Sequence, residues 1–203
     1  MAGTTAESNR QALYPIGLKV GGRRCLVVGR GETAQRKRKE LADCGAIVHS
    51  IDAPFLSSDL DGVHLVVAAT DDRQVQEDVA READARGIPC NVVDVNDLCT
   101  FYAPAVLRRG ALTITVATDG TFPLLAVALR DRIAAGLADA VGDALELLGE
   151  GRALAVLRYA DDSAKRVDAL RRLLTPAALE AIVEGRLDEF RAQWEAWKAE
   201  LSS

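Results

Sequence analysis

The sequence RCLVVGRGETA, at residues 24–34, is the strongest indication of the fold of this chain. The run RCLVV is short and mainly apolar, so it predicts a buried strand that ends at Gly29. The residues that follow Gly31 predict a helix over 32–44, with Gly45 at its end. A glycine turn between a buried strand and a helix is typical of an α/β fold that binds a dinucleotide.

Each glycine of this turn has a separate physical role in a dinucleotide site. Gly29 permits the tight turn, and Gly31 lets a pyrophosphate approach the backbone. The N-terminus of the following helix would offer unpaired N–H groups and the positive end of its dipole to the phosphates. Ala34 stands in place of the third glycine of the usual pattern. The alternative is a plain strand–helix turn that binds nothing.

The next segments repeat the alternation of strand and helix. Strands are predicted at 46–51, 63–69 and 89–93, and a charged helix at about 72–86, ended by Gly87. This alternation predicts a mainly parallel sheet. Near residue 110 the pattern changes to one strand at 112–118, a TDGTFP turn, a long helix at about 123–148 and further helices from 152 onward.

Two helical signals stand out in the last fifty residues. Thr175 and Pro176 predict a helix start, with a capping hydroxyl followed by proline. The final helix carries one apolar stripe at helical spacing, which favours a core or a dimer contact over stacking on a ligand. The members of this stripe are Leu187, Phe190, Trp194, Trp197 and Leu201.

The composition of the chain argues against a nucleic-acid-binding or membrane-spanning protein. The chain has 203 residues, 49% of them apolar, and a net charge of −5, which disfavours binding to nucleic acid. No apolar run is long enough for a membrane span, and the N-terminus lacks the features of a signal peptide. The cysteines lie far apart without a C-x-x-C pair, so we expect reduced thiols, no metal site and a cytoplasmic location.

Acidic and hydroxyl residues follow the predicted strands. Asp52 comes 21 residues after Gly31, where such folds place the acid that holds the adenosine ribose and favours NAD over NADP. It could equally cap a turn. Asp52, the adjacent Ala53 and Thr70 are our candidate cofactor contacts on this edge, although capping of the next helix is the favoured role for the segment 70–72.

Asp94 ends the strand 89–93 at its carboxyl edge, where open α/β sheets place their ligands. A carboxylate at this position could take up a proton from a substrate whose hydride goes to NAD. The alternative is a cap for the loop 95–99.

Taken together, these landmarks resemble the precorrin-2 dehydrogenase family, the siroheme synthase N-terminal type. The likeness covers residues 14 to about 135 and continues more weakly to the end. It is carried by several motifs in order: YPIGL from Tyr14, VVGRGETAQRK from Val27, LDGVHLVVAATDD from Leu60, GIPCNVVD from Gly87, LCTFYAPAVLRRG from Leu98 and LTITVATDGTFPLLA from Leu112.

The resemblance implies a homodimer with three parts: a Rossmann-like domain at 12–110, a dimerisation segment at 111–150 and a helical region at 151–203. It implies that Asp94 is the catalytic aspartate, that Glu32 and Thr33 contact NAD through their backbones, and that Thr118 lies near the tetrapyrrole. Some members also insert iron or cobalt. The implied activity is the NAD-dependent oxidation of precorrin-2 to sirohydrochlorin.

Two stretches depart from the family pattern. Phe122 stands where the family often has serine, and residues 53–62 are too short for the usual additional helix and strand. Ten residues are marginal for joining adjacent parallel strands. Either the strand 46–51 sits elsewhere in the sheet or the sheet has lost a strand, and NAD affinity is the property most affected.

The tetrapyrrole carries several carboxylates, so its pocket needs cations, and Arg109 is our main candidate. The other basic residues near the predicted crevice or on the later helices are Arg108, Arg130, Arg132, Arg152, Arg158, Lys165, Arg166, Arg171 and Arg172. The rival hypothesis is a tetrapyrrole-binding protein or chelatase that has lost NAD binding. A nucleotide-sensing regulatory domain ranks last because it explains neither Asp94 nor the TDGTFP turn.

Overall fold

The computed structural model describes residues 13–52 and 54–202. The chain divides between Ala103 and Pro104 into two compact units. The predicted change of pattern near residue 110 falls inside the second unit, because the first strand of that unit spans Ala105–Arg109.

The first unit is built on a parallel sheet of four strands in the order β2-β1-β3-β4, which confirms the Rossmann-like α/β fold. Its strands are β1 (Arg24–Val28), β2 (Ile47–Ile51), β3 (Leu65–Ala68) and β4 (Cys90–Val92). Its helices are α1 (Glu32–Asp43) and α2 (Arg73–Ala85), and two short 3₁₀ turns span Ser57–Leu60 and Asn96–Leu98.

The two faces of this sheet bury different residues, as alternation along a strand requires. On one face Leu26 and Val28 pack with Val79 of α2. On the other face Cys25 and Val27 pack with Ala34 of α1. The sheet is therefore covered by a helix on each side, which explains why β3 is a continuous apolar run.

The short segment after β2 does not join adjacent strands. β1 lies between β2 and β3, and the described residues that join β2 to β3, Asp52 and 54–64, contain a single 3₁₀ turn. The doubly wound order 3-2-1-4 is thus kept without its outermost strand. Of the two explanations left open by the sequence, the loss of a strand is the one that holds, and β2 is an edge strand among the described residues.

The second unit combines a hairpin with five helices. Strands β5 (Ala105–Arg109) and β6 (Leu112–Val116) pair antiparallel. The helices are α3 (Pro123–Ala135), α4 (Val141–Arg158), α5 (Ser163–Leu173), α6 (Pro176–Glu184) and α7 (Leu187–Ser202). The strand β5 was not predicted, although two residues, Gly110 and Ala111, separate it from β6 as in a tight hairpin.

The prediction of one long helix at 123–148 is wrong, because α3 ends at Ala135, with Gly136 as its C-cap, and α4 begins at Val141. The N–H of Ala138 donates to the carbonyl of Val183 at 3.1 Å instead of continuing the helix. At the start of α4, Gly142 packs so tightly that an added Cβ would lie 3.1 Å from the backbone N of Gly110. These long-range contacts break a segment whose own residues favour helix.

The apolar stripe of α7 is part of the core of the helical region, as predicted. Phe190, Trp194 and Trp197 are buried. Both indole N–H groups find acceptors, since Trp194 donates to the carbonyl of Leu147 at 2.9 Å and Trp197 to that of Ala169 at 2.8 Å. The stripe therefore has a packing role.

Thr175 caps α6 as predicted, and its loss should be measurable. Its Oγ1 accepts the N–H of Ala178 at 3.1 Å and the side-chain amide of Gln193 at 3.0 Å. We expect Thr175→Ala to lower the free energy of unfolding by about 1–2 kcal/mol, the usual cost of losing such a cap. Thr175→Ser, which keeps the hydroxyl, should unfold at the same denaturant concentration as the parent. Equal midpoints for all three proteins would contradict the capping role.

Candidate active site

Four of the predicted site residues follow four parallel strands. Gly29 comes after β1, Asp52 after β2, Thr70 shortly after β3 and Asp94 after β4. Because the carboxyl ends of parallel strands share one edge of a sheet, the fold brings these residues to a common edge, where such sheets bind ligands. Ala53, also predicted here, lies outside the described residues.

Gly29 is required by the packing of the strand ends. Its φ of 123° lies in the region that favours glycine, and an added Cβ would lie 2.1 Å from the carbonyl oxygen of Ala69. Its N–H donates to the carbonyl of Ile51 at 2.9 Å. The start of the glycine turn is thus fixed between the ends of β2 and β3.

Gly31 leaves open space at the start of α1. It is the N-cap residue, no side chain caps this helix, and an added Cβ would meet nothing within 4 Å. The first N–H groups of a helix have no partner within it, and here they belong to residues that include Glu32 and Thr33. An open space lined by unpaired N–H groups fits a pyrophosphate.

Asp52 is ion-paired with Arg30, the residue between the two glycines of the turn. The pair is solvent-exposed, with 82% of the Arg30 side chain and 42% of the Asp52 side chain accessible. An exposed pair of this kind contributes little to stability, so either partner can exchange it for a ligand. The sequence analysis did not single out Arg30, and its position inside the turn was the only signal.

The segment 70–72 caps α2, as favoured from the sequence. The carboxylate of Asp72 accepts the N–H groups of Gln74 at 3.0 Å and Val75 at 3.2 Å. The Thr70 hydroxyl accepts the N–H of Asp72 at 3.3 Å, and the buried side chain of Gln76 donates to the Thr70 carbonyl at 2.6 Å. Thr70 therefore has a structural role at the crevice, and its contact with a cofactor stays a prediction.

Asp94 has an unusual backbone and an unpaired side chain. Its φ of 62° places it in the left-handed region, inside a turn closed by the N–H of Val95 and the carbonyl of Val92. Its exposed carboxylate makes no hydrogen bond or ion pair with any residue in the described part of the chain. The alternative role as a cap for 95–99 is wrong. Residues held in such conformations concentrate at functional sites.

Side chains that the sequence analysis missed hold the turn that carries Asp94. The buried amide of Asn91 donates to the carbonyl of Phe101 at 3.1 Å. The Thr100 hydroxyl accepts the N–H of Cys90 at 2.8 Å, and the Cys99 sulfur accepts that of Val92 at 3.2 Å. These contacts tie β4 to the segment that follows Asp94, which fixes both ends of the turn.

The thiols beside this turn are kept neutral. Burial, together with the nearby Cys99, raises the pKa of the Cys90 thiol to about 12. Burial also raises the pKa of Cys99. Because a thiol needs its ionised form to act as a nucleophile or metal ligand, these two cysteines have a structural role here.

The two predicted substrate residues lie in the second unit. The Thr118 hydroxyl accepts the N–H of Phe122 at 3.3 Å, within a turn that contains Asp119 and Gly120, both with positive φ. Arg109 places its buried Nε 2.6 Å from Asp139 Oδ1, in poor alignment for a hydrogen bond. Their substrate roles stay predictions, and the TDGTFP turn is confirmed.

Residues 13–52 and 54–202 contain neither a cluster of metal-ligating side chains nor a membrane-spanning helix. No group of three or more His, Cys, Asp or Glu side chains comes together there as a metal site would require. No helix in these ranges is long and apolar enough to cross a membrane.

Comparison with known proteins shows which proteins this chain is similar to. A domain family described as "Putative NAD(P)-binding" matches residues 16–105. Siroheme synthase of Methylobacillus flagellatus is 37% identical over 75% of this chain and 37% of its own length. That of Methylococcus capsulatus is 36% identical over 86% of this chain and 41% of its own length.

Among solved structures, "SirC, precorrin-2 dehydrogenase" has the same fold, with a TM-score of 0.68 over 91% of this chain and all of that chain, at 23% identity. The chain is similar to siroheme synthases over most of its own length, and its first unit is an NAD(P)-binding domain. The chain spans about two fifths of the length of the siroheme synthases it matches.

Proposed function

We propose that this chain oxidises precorrin-2 to sirohydrochlorin with NAD, as a step of siroheme biosynthesis. The observation that carries the proposal is the unpaired carboxylate of Asp94, held at the same sheet edge as the glycine turn. The comparisons support the substrate, since relatives of this chain are siroheme synthases and a structural relative is a precorrin-2 dehydrogenase.

Residues of the first unit would bind the cofactor and accept the proton. The N–H groups at the start of α1 would hold the pyrophosphate next to Gly31, and Asp52 the ribose hydroxyls. NAD, when bound, supplies a hydride acceptor. Asp94 takes up the proton that the substrate loses, so the substrate loses a hydride and a proton, which together make a two-electron oxidation.

Direct assay tests this proposal. Purified chain, mixed with NAD and precorrin-2 without oxygen, should form one NADH per sirohydrochlorin, measured by their absorbance. No reaction should occur when NAD is omitted. Absence of NADH with intact precorrin-2 would remove the proposed activity.

A second candidate function is tetrapyrrole binding or metal insertion without NAD. It is favoured by the missing outer strand next to β2, because Asp52 then lies at the edge of the sheet, already paired with Arg30. Calorimetry separates the two functions. Binding of NAD at micromolar concentration supports the dehydrogenase, whereas binding of sirohydrochlorin alone supports the second candidate.

We also infer that the protein acts as a homodimer, through α3 and the β5–β6 hairpin. Ala126 is the only buried residue among the thirteen of α3, although the only charged residues of this helix are Arg130, Asp131 and Arg132. A large set of exposed apolar side chains on one helix indicates a contact surface, and a hairpin alone is marginally stable. The apolar residues that α3 exposes are Leu124, Leu125, Val127, Leu129 and Ile133.

Light scattering after size exclusion tests the dimer. We expect a mass of twice 21.7 kDa for the parent and a monomer for Leu124→Glu, which puts a charge on α3. Leu157→Glu is the matched control, because Leu157 on α4 is 78% exposed and Leu124 is 72% exposed. A monomeric parent, or dissociation by both variants alike, would exclude α3 as the interface.

The reaction belongs in the cytoplasm under this proposal. Cys25, Cys44, Cys90 and Cys99 form no disulfide bond. Reduced thiols are the usual state of cysteine in a reducing compartment such as the cytoplasm.

A further inference from the structure

The ion pair between Arg30 and Asp52 bears on which dinucleotide the site accepts. Asp52 is the acid that would hold the ribose hydroxyls, and Arg30 contacts it from the glycine turn. The Arg30 side chain is largely exposed and that of Asp52 partly exposed, so the guanidinium can leave the carboxylate when a ligand arrives.

Other cations of β1 and α1 lie away from Asp52 or pair with another carboxylate. Arg24 begins β1, at the opposite end of the strand from the glycine turn. Arg36 and Lys37 on α1 both pair with Glu40. Among the described ion pairs, Arg30 is therefore the cation that reaches Asp52.

A carboxylate at the ribose normally excludes NADP, because it repels the 2′-phosphate that distinguishes NADP from NAD. A guanidinium beside it reverses this repulsion in two ways. It neutralises the carboxylate, and its fork of N–H groups matches a phosphate in a bidentate contact. Arg30 is placed to do both, since it already lies against Asp52.

We propose that Arg30 determines cofactor specificity by moving between Asp52 and the 2′-phosphate, so that the site binds NADP as well as NAD. The inference rests on the proposed dinucleotide site. With NAD, Asp52 holds the ribose hydroxyls and Arg30 stays in solvent or beside the carboxylate. With NADP, Arg30 holds the phosphate and screens it from Asp52.

Calorimetric titration of the full chain with NAD and with NADP, in separate experiments without substrate, tests this. We expect the two dissociation constants of the parent to lie within about tenfold of each other. Arg30→Ala should weaken NADP binding by about 10- to 100-fold, as expected for loss of a charge-assisted contact, and leave NAD binding unchanged or tighter. Asp52→Asn should tighten NADP binding, because it removes a negative charge.

Arg81→Ala is the matched control. Arg81 on α2 is 63% exposed and pairs with Asp78. Its replacement by alanine removes the same charge as Arg30→Ala. It should leave both affinities unchanged. Circular dichroism of each variant should match the parent, because neither arginine is part of the core.

The outcomes separate the two proposals. A parent that binds NAD but not NADP, or an Arg30→Ala variant that loses both dinucleotides equally, would overturn the role of Arg30 and leave the dehydrogenase proposal standing. Equal losses of NADP affinity in Arg30→Ala and Arg81→Ala would show that the effect comes from net charge alone. This result would also overturn the role of Arg30. A parent that binds neither dinucleotide would overturn both proposals.

Discussion

Asp94→Asn is expected to lower the rate of precorrin-2 oxidation by about 10²–10⁴-fold, the usual contribution of a general base. Asparagine adopts the left-handed backbone that Asp94 occupies, at φ 62°, so the turn should be preserved. The amide has nearly the shape of the carboxylate and cannot take up a proton. The measurement is NADH formation at saturating NAD, with NAD affinity checked by calorimetry and expected to be unchanged.

Asp97→Asn is the control for this experiment. Asp97 lies three residues further on, in the 3₁₀ turn Asn96–Leu98, and is also exposed. It should oxidise precorrin-2 at the parent rate. An Asp94→Asn variant that also keeps the parent rate would show that another group accepts the proton.

Gly29→Ala is expected to destabilise the first unit severely. An added Cβ would lie 2.1 Å from the carbonyl oxygen of Ala69, which is backbone and cannot move aside without separating β1 from β3. The φ of 123° adds strain for any side chain. We expect a loss of about 3 kcal/mol or more in the free energy of unfolding, the upper range for overpacking, measured by denaturant titration.

Gly31→Ala, two residues further along the same turn, is expected to weaken NAD binding without destabilising the fold. Its φ of −64° suits alanine, and the added Cβ would meet no protein atom within 4 Å. Stability should therefore stay at the parent level, while NAD affinity falls because the methyl group occupies space that a pyrophosphate needs. Unchanged NAD affinity would show that the pyrophosphate does not approach Gly31, and a stable Gly29→Ala would contradict the packing.

The sequence predicted the parts of the site that local chemistry determines. The glycine turn, the strands before it and after it, and the cap of α2 each depend on neighbouring residues, so their patterns are visible in a single sequence. The position of Asp94 at a strand end followed from the same reasoning. Its left-handed backbone did not, because the aspartate occupies a turn position that usually takes glycine or asparagine.

Features that depend on distant residues were missed. The helix predicted at 123–148 breaks where Ala138 bonds to Val183 and Gly142 meets Gly110. The contacts that hold the Asp94 turn join Asn91 to Phe101 across a loop. The residues of either segment alone do not indicate these distant contact partners.

The backbone conformation of Asp94 favours substitutions that abolish the proposed activity over substitutions that keep an acid at this position. Glycine or asparagine would occupy this turn with less strain than aspartate, so mutation toward either one relaxes the backbone while removing the base. Glutamate keeps the charge but is poorly suited to the left-handed region. Among descendants of this chain, inactive copies with an intact fold should therefore arise more readily than active copies with a different acid.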